Sequence, residues 1–368
     1  MSRLQRLRDA GVSIWLDTLS RELLESGAFE RLVREDAVTG ATSNPTIFAK
    51  AITGSDRYDD QLRAAVATGT TDPPELFLAL GLEDVRRAAG VLHPAYEAGD
   101  GRDGFVSFEC TPDLADDTEA TIAQALDLWD RLALPNVMIK VPATAAGVPA
   151  IEELTARGVN VNVTLLFAVE RYEQVMEAYL RGLERRADAG EPLAGVASVA
   201  SFFVSRVDAK ADGVLPAGSP VRGHVAIANA HRAYARWVAR FDGPRWQALE
   251  RLGATPQRPL WASTATKNPA YSDVLYVEDL VAPHVISTMP EATLRAFADH
   301  GEVREALVAD AAEPERVLAQ AAEAGLDLAA VTAELERDGV ESFCASYGEL
   351  LACIGSKVQA LSAPARTR

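Results

Sequence analysis

Short apolar or β-branched runs recur along the chain, and segments with helical periodicity separate them. The runs predict strands over residues 13–17, 39–42, 104–110, 136–141, 160–166, 197–203, 260–263 and 284–288. Between them, apolar residues recur at spacings of three and four, which predicts crossover helices over 115–132, 167–187 and 224–241. Alternating strands and helices indicate an α/β protein with a parallel sheet, and eight strands favour closure into a (β/α)8 TIM barrel.

Two stretches of the chain are longer than the connections of a bare barrel require. One lies between the second and third predicted strands, where Asp72-Pro73-Pro74 separates two amphipathic segments. The other follows the eighth strand. Together they predict additional helices over residues 58–67, 74–89, 314–335 and 340–361.

These additional helices are interpreted as decorations on one domain that covers residues 1–368. The barrel core is expected over about 12–301, and a helical C-terminal extension over about 302–361. The tail from 362 to 368 is small, polar and proline-containing, so we expect it to be frayed.

The composition is that of an ordinary soluble globular protein, with 48% hydrophobic and 24% charged residues. No apolar run reaches the ~18 residues that a spanning helix needs. The N-terminal basic residues have no apolar segment behind them, so they do not resemble a secretory signal. We therefore expect a cytoplasmic protein.

The formal net charge of −17 disfavours nucleic acid and anionic membrane as partners, because binding a phosphate backbone needs a basic surface. A small phosphorylated molecule needs only a few local cations and stays possible. Cys110, Cys344 and Cys353 lack the spacing of metal ligands, and their odd number argues against a disulfide framework. The cysteines therefore predict reduced thiols and no metal site.

Lys140 is the most informative single residue. It lies near the end of the apolar run NVMIKVP (residues 136–142), in a chain that has only five lysines. Burying an unpaired charge is expensive, and arginine cannot form a Schiff base whereas lysine can. Removal from water disfavours the ammonium form, which is the change that an amine nucleophile needs before it attacks a carbonyl.

Reactive or hydrogen-bonding groups also end the other predicted strands, and the carboxyl ends of the strands hold the active site in a TIM barrel. Asn162 and Thr164 are two residues apart on one strand, so both face the same side. The other candidates at these ends are Asp17, Asn44, Glu109, Lys140 and Ser201. An amine, two carboxylates and several amides or hydroxyls around one mouth suit carbonyl chemistry.

Four sequence blocks at these strand ends resemble the transaldolase family. They are IWLDTLS (14–20), GATSNPTIF (40–48), MIKVPAT (138–144) and NVNVTLLF (160–167). The blocks stand in the family's order at compatible spacing, and the resemblance extends to about His300. The longer bacterial members are the most similar.

The resemblance implies a transferase that moves a dihydroxyacetone unit between sugar phosphates, without metal, thiamine or nicotinamide. Lys140 corresponds to the lysine that forms the iminium with the ketose. Asp17 corresponds to the base at the C4 hydroxyl. Glu109 and Thr164 correspond to the pair that holds a water for proton transfer.

Other residues correspond to the family's substrate contacts. Asn44, Asn162 and Ser201 match residues that hydrogen-bond the dihydroxyacetone hydroxyls, and Phe203 matches an apolar pocket position. In the related fructose 6-phosphate aldolases this position tends to be tyrosine and the Glu109 position glutamine. The residues found here therefore favour a transferase.

The phosphate site departs from the family pattern. Arg206 matches a phosphate-binding arginine. The second cation of many members is an arginine after the seventh strand, where this chain has Lys267 in a slightly longer loop with Ser263 nearby. By this resemblance Arg206, Ser263 and Lys267 bind the phosphate. Family members include dimers, so a homodimer is among the assemblies that the resemblance allows.

Structural interpretations of the same residues stay open on the sequence alone. Lys140 at a strand end is compatible with snorkelling to solvent, and Asp17 with a helix N-cap. Asn44 suits an Asn-Pro turn, and Arg206 and Lys267 suit surface ion pairs.

Three functional hypotheses result. The first is a transaldolase of the pentose phosphate pathway. The second is a lyase that uses the same lysine to release or consume free dihydroxyacetone. The third is a barrel that binds sugar phosphates without catalysis, which the joint presence of Glu109 and Lys140 disfavours.

Overall fold

Eight parallel strands form a closed barrel in sequence order in the computed structural model, which describes residues 1–304, 306–307 and 312–362. They are β1 (Ser13–Leu16), β2 (Val38–Thr42), β3 (Val106–Glu109), β4 (Val137–Pro142), β5 (Val161–Leu166), β6 (Ser198–Phe203), β7 (Arg258–Ala262) and β8 (Ile286–Met289). The predicted TIM barrel is confirmed, and the predicted strand ends differ from the observed ones by at most two residues.

The described helices surround and cover this barrel. They are α1 (Arg3–Asp9), α2 (Arg21–Glu25), α3 (Ala28–Glu35), α4 (Pro45–Thr53), α5 (Asp59–Ala67), α6 (Pro73–Ala98), α7 (Thr118–Leu132), α8 (Gly147–Ala156), α9 (Val169–Asp188), α10 (Ser205–Val214), α11 (Val225–Phe241), α12 (Pro244–Glu250), α13 (Leu275–Glu278), α14 (Glu291–His300), α15 (Ala312–Glu323) and α16 (Leu328–Ser362), with a 3-10 turn at Pro112–Leu114. The described helices include none that is long and apolar enough to span a membrane.

Strand register fixes which polar residues meet at the mouth of the barrel. Glu109 pairs with Lys140, Lys140 pairs with Asn162, and Pro142 pairs with Thr164. Paired positions of parallel neighbours share a face, so these side chains come together although their strands are separated by helices in the sequence. Every residue of β3, β4, β5 and β6 is buried, as expected for a sheet covered on both faces.

The predicted helix over 74–89 is longer than expected. Asp72 caps α6, accepting a hydrogen bond from the Glu75 backbone amide at 3.4 Å, and the helix continues to Ala98 through Pro94. Leu92 is fully buried in the core beyond the predicted end. Tertiary burial therefore outweighs the helix-breaking tendency of the intervening proline.

The predicted division of the C-terminal helices is wrong. The sequence predicted helices over 314–335 and 340–361, whereas α15 ends at Glu323 and α16 begins at Leu328. Gly325 adopts a left-handed φ of 94°, which ends the first helix. Asp327 accepts a hydrogen bond from the Ala330 amide, which caps the start of the second. The helix α16 ends at Ser362, and residues 363–368 of the predicted tail lie outside the described residues.

The predicted break between helices near residue 339 is absent. Gly339 lies inside α16, where its lack of a side chain lets the helix pack closely against a neighbouring strand. A Cβ at Gly339 would lie 2.9 Å from Cδ2 of Leu165 on β5. Glycine there allows α16 to pack against the end of that strand. The same helix packs against α4, α6 and α10, so it lies across the elements that surround the mouth of the barrel.

Candidate active site

Lys140 lies near the carboxyl end of β4 with 5% of its surface exposed. Its Nζ donates hydrogen bonds to the Ser43 carbonyl oxygen at 3.0 Å and to Oε2 of Glu109 at 3.3 Å. The alternative that Lys140 snorkels to solvent is wrong. The amine is held inside the barrel between a neutral acceptor and a carboxylate.

Glu109 is buried beside that amine, at the registered position on β3. Burial raises the pKa of the Glu109 carboxyl, the charge of Lys140 opposes the shift, and the charge of Asp17 adds to it. A carboxyl with a raised pKa keeps its proton to a higher pH than a free one. Glu109 is therefore suited to accept and return protons next to the amine.

Asp17 follows β1 directly, and its carboxylate is half-buried. Its Oδ1 accepts a hydrogen bond from Oγ1 of Thr42 at 3.0 Å, and Oγ1 of Thr42 lies 3.2 Å from Oγ1 of Thr288. The alternative that Asp17 is a helix N-cap is wrong, because Ser20 caps α2 through the Leu23 amide. The hydroxyl chain from β2 and β8 fixes the carboxylate instead.

Asn162 and Ser201 form a buried hydrogen-bonded chain across β3, β5 and β6. The Ser201 hydroxyl donates to Oδ1 of Asn162 at 2.7 Å, and Nδ2 of Asn162 donates to Oγ of Ser107 at 2.9 Å. Oγ1 of Thr164, two residues further along β5, is buried and has no hydrogen-bond partner among the described residues. An unpaired buried hydroxyl is costly, so this oxygen is available to a water or a substrate.

Asn44 caps a helix at the Asn-Pro turn and also lies at the central cavity. Its Oδ1 accepts from the Ile47 amide at 3.0 Å and caps α4, in which Pro45 occupies the first turn. The same residue lines the central cavity. The Asn-Pro turn and the candidate binding role are therefore compatible.

Arg206 and Lys267 lie on the opposite side of the mouth from the amine's carboxylate partner. The guanidinium of Arg206 stacks over the Phe203 ring at 5.4 Å, and burial lowers its pKa while Asp17 acts against the shift. Desolvation and the neighbouring Arg206 charge lower the pKa of Lys267, although much of this side chain is exposed. Neither cation forms an ion pair with any residue that the structure describes, so the alternative that they form surface ion pairs is wrong.

Ser263 follows β7 directly and lines the same cavity as these two cations. Its φ of 56° is left-handed, a strained conformation for a residue with a side chain, and its hydroxyl lies 3.0 Å from that of Ser205. Ser205 begins α10, the helix that also carries Arg206. The turn therefore draws the end of β7 toward the N-terminus of α10, where anions are favoured.

One cavity of about 140 Å³ unites most of the predicted residues. Its lining includes Asp17, Asn44, Lys140, Thr164, Ser201, Phe203, Arg206, Ser263 and Lys267. Glu109 and Asn162 do not line it and instead lie behind Lys140 and Ser201, which they hydrogen-bond. Within the described residues, no group of three or more His, Cys, Asp and Glu side chains is arranged to hold a metal ion.

Sequence reasoning missed several residues around this cavity. Thr42 and Thr288 are small polar residues at or near strand ends, so the strand-end criterion that found Asp17 also applies to them. The Ser43 carbonyl carries no signal in its side chain. Phe343 reaches the cavity from α16, and amphipathic spacing alone does not say against which surface that helix packs.

A closed (β/α)8 barrel whose mouth contains a buried amine, a carboxylate and two further cations defines a TIM-barrel enzyme equipped for carbonyl chemistry. Comparison with known proteins narrows that class. The chain belongs to the transaldolase/fructose-6-phosphate aldolase family, whose sequence profile matches residues 14–354. The match extends through α15 and most of α16, beyond the part in which the resemblance was apparent from motifs.

Individual relatives agree along nearly their full lengths. The chain is 51% identical over 354 residues to a transaldolase of Saccharopolyspora erythraea, covering 95% of this chain and 96% of that protein. It is 50% identical over 356 residues to one of Acidothermus cellulolyticus, covering 95% of each chain. A transaldolase of Thermobifida fusca is 47% identical over 365 residues, covering 98% and 99%. The predicted relationship to the transaldolases is confirmed, and the chain is an enzyme of this family.

Proposed function

We propose that this enzyme is a transaldolase that moves a dihydroxyacetone unit through a Schiff base on Lys140. The donors are sedoheptulose 7-phosphate and fructose 6-phosphate, and the acceptors are glyceraldehyde 3-phosphate and erythrose 4-phosphate. This places the reaction in the non-oxidative pentose phosphate pathway. The observation that carries the proposal is the Lys140 amine, buried beside Glu109 and facing a cavity that has cations on its other side.

The first step forms the iminium. The free amine of Lys140 attacks the C2 ketone, and the carbonyl oxygen leaves as water after two protonations. Glu109, 3.3 Å from the amine, can relay these protons because burial raises its pKa. The unpaired hydroxyl of Thr164 supports the idea that a water held with Glu109 takes part.

The second step breaks the C3–C4 bond. The carboxylate of Asp17 accepts the proton of the C4 hydroxyl, the bonding electrons flow into the iminium, and an aldehyde phosphate leaves. A three-carbon enamine stays on Lys140 and attacks the incoming aldehyde by the reverse sequence. Thr42 supports this role for Asp17, because a fixed carboxylate loses less freedom in the transition state.

Binding of the substrate divides between the two sides of the cavity. Asn44 and Ser201, which line the cavity, are suited to the hydroxyls near the amine, and Asn162 supports Ser201 from behind. The amide of Asn162 already accepts from Ser201, so its orientation does not depend on the substrate. Arg206, Ser263 and Lys267 are suited to the phosphate, since both cations lack carboxylate partners among the described residues.

The remaining expectations belong to the same proposal. Sugar phosphates are the proposed partners, nucleic acid and membrane are not, and a homodimer is the proposed assembly. The cytoplasm is the proposed location, and the described Cys110, Cys344 and Cys353 are free thiols, as a reducing compartment maintains.

Borohydride trapping tests the proposal. The protein is incubated with fructose 6-phosphate, reduced, digested and mapped by mass spectrometry. A reduced three-carbon adduct on Lys140 is expected. Absence of an adduct under turnover conditions would favour a barrel that only binds its ligand.

A coupled assay without an acceptor aldehyde separates transferase from lyase. A transaldolase releases little free dihydroxyacetone when no acceptor is present. Rapid turnover without acceptor would assign the same lysine to a lyase, the activity expected of the related aldolases.

A further inference from the structure

Asp212 lies on α10, six residues after Arg206, and holds the loop that carries Lys267. Its Oδ2 accepts a hydrogen bond from the Tyr271 hydroxyl at 2.6 Å and a longer one from Nδ2 of Asn268 at 3.5 Å. Its Oδ1 accepts from the Gly223 amide at 3.2 Å. One carboxylate thus ties the segment after β7 to the helix that bears the other cavity cation.

A second carboxylate on α10 repeats this contact one helical turn earlier. Asp208 is 1% exposed, and it accepts from the Tyr276 hydroxyl at 2.9 Å and from the Ala226 amide at 2.8 Å. Residues four apart share a helix face, so Asp208 and Asp212 present a row of acceptors to the segment after β7. Tyr276 belongs to the short helix α13, whereas Tyr271 precedes this helix and lies closer to Lys267 in the sequence.

The loop needs such an attachment because its lysine is placed against a like charge. Arg206 and Lys267 line one cavity, and like charges repel each other. Desolvation and then the Arg206 charge lower the pKa of Lys267, and Asp17 acts against the shift. In the absence of an anion, this repulsion favours movement of the exposed lysine away from the arginine. Asn268, next to Lys267, and Tyr271 hold the loop in place through Asp212.

The pKa of the Tyr271 hydroxyl lies well above neutrality. Desolvation and the bond to Asp212 raise the pKa of the Tyr271 hydroxyl to about 12. The hydroxyl therefore remains a donor at neutral pH. A 2.6 Å bond to a carboxylate is a charge-assisted contact, which is stronger than a neutral one.

We propose that Asp212 is a positioning residue that sets the distance between Lys267 and Arg206, and through it the affinity for the substrate phosphate. This inference rests on the proposed function, because it takes these cations as the phosphate site. Asp212 contacts neither the amine nor the groups around it in the described structure. Its loss is therefore expected to weaken the phosphate end of the site and leave Schiff-base formation unchanged.

The test compares Asp212→Ala, Tyr271→Phe and Lys267→Ala with the wild-type enzyme. Asp273→Asn is the matched control, since Asp273 lies in the same segment but pairs with His300 at the surface. Three quantities are measured: the KM and kcat for fructose 6-phosphate, the inhibition constant of inorganic phosphate, and borohydride trapping of dihydroxyacetone on Lys140. Dihydroxyacetone has no phosphate, so trapping reports the amine alone.

Asp212→Ala is expected to raise the KM and the phosphate inhibition constant together by about tenfold, with kcat and trapping nearly unchanged. Tyr271→Phe is expected to act in the same direction with less effect, and it tests the proposal even where Asp212→Ala fails to fold. Because both residues act through Lys267, Asp212→Ala combined with Lys267→Ala should be no worse than Lys267→Ala alone.

Other outcomes overturn the proposal. Equal losses in trapping and phosphate affinity would indicate a general structural role, and full additivity with Lys267→Ala would place Asp212 outside the phosphate site. If Lys267→Ala changed neither the KM nor the phosphate inhibition constant, Lys267 would not bind the phosphate and Asp212 could not act through it. The proposed function fails in a different way, through a wild-type enzyme that forms no adduct and transfers no three-carbon unit.

Discussion

Lys140 is held by two acceptors of different charge, and only one of them can exchange protons. The Ser43 carbonyl fixes the amine, whereas Glu109 has the raised pKa that a proton carrier needs. A salt bridge buried for stability alone rarely repays its desolvation. The pair is therefore better explained by the chemistry of the amine than by stability.

Lys140→Arg is expected to abolish turnover, because a guanidinium cannot form the iminium. The charge next to Glu109 is retained, so the buried carboxylate keeps a partner and the fold should survive. Activity and borohydride trapping measure the chemistry, while circular dichroism and thermal unfolding measure the fold. Substantial turnover in a folded variant would refute the role of Lys140.

Asp17→Asn is expected to slow carbon–carbon bond cleavage by about a hundredfold, since the amide cannot accept the C4 proton. The amide oxygen can still accept from Thr42, so the position of the side chain should be preserved. Pre-steady-state measurements separate iminium formation from release of the aldehyde. Equal slowing of both steps would give Asp17 another role.

At the scale of elements, α16 is the part of the site that the sequence could not locate. Phe343 lines the cavity and Gly339, one turn earlier on the same face, packs on Leu165 beside Thr164. Thr46 donates to Ser346 at 2.7 Å, and Lys210 pairs with Asp338 at 3.0 Å. These contacts join the helix to α4 and α10, whose first residues line or adjoin the cavity.

Two glycines of α16 provide a matched pair for testing this packing. Gly348→Ala meets no atom within 4 Å and should stabilise the protein by about 0.5–1 kcal/mol, because alanine has less backbone entropy to lose. Gly339→Ala places its Cβ 2.9 Å from Leu165, so that gain should be reduced or reversed. Denaturant unfolding measures both effects.

Displacement of α16 by Gly339→Ala should also move Phe343 and raise the KM for fructose 6-phosphate. Gly348→Ala should leave the KM unchanged. Identical stability and identical KM in the two variants would show that the helix does not close on the end of β5 as described.

At the scale of the whole molecule, the sequence predicts those features that arise from a local pattern or from a pattern that every β/α unit repeats. Eight strands were predictable because each is a short apolar run bounded by polar residues. Asp17, Glu109 and Lys140 were predictable because a barrel brings all strand ends to one mouth. Phe343, the Ser43 carbonyl and the break at Gly325 were not, since each depends on packing between segments that are distant in sequence or on a single backbone conformation.

Buried carboxyls make the stability of the whole molecule depend on pH. Burial raises the pKa of Asp208 to about 6 from a usual value of 3.8, with bonds from Ala226 and Tyr276 opposing the shift and the charge of Asp212 adding to it. A raised pKa means that the folded state binds the proton more tightly than the unfolded state. The resulting stabilisation is complete below the unfolded pKa and is lost as the pH rises through about 6.

Asp208→Asn should remove this dependence. Between pH 4 and pH 7, the wild-type protein is expected to lose about 2 kcal/mol of unfolding free energy relative to the variant. Denaturant unfolding at a series of pH values measures the difference, with Asp130→Asn, at an exposed position of α7, as the control. At low pH the protonated carboxyl resembles the amide in shape, so the two proteins should differ least there. Parallel curves for wild type and Asp208→Asn would mean that Asp208 titrates alike in the folded and unfolded states, and the row of acceptors on α10 would then be more open to water than its burial indicates.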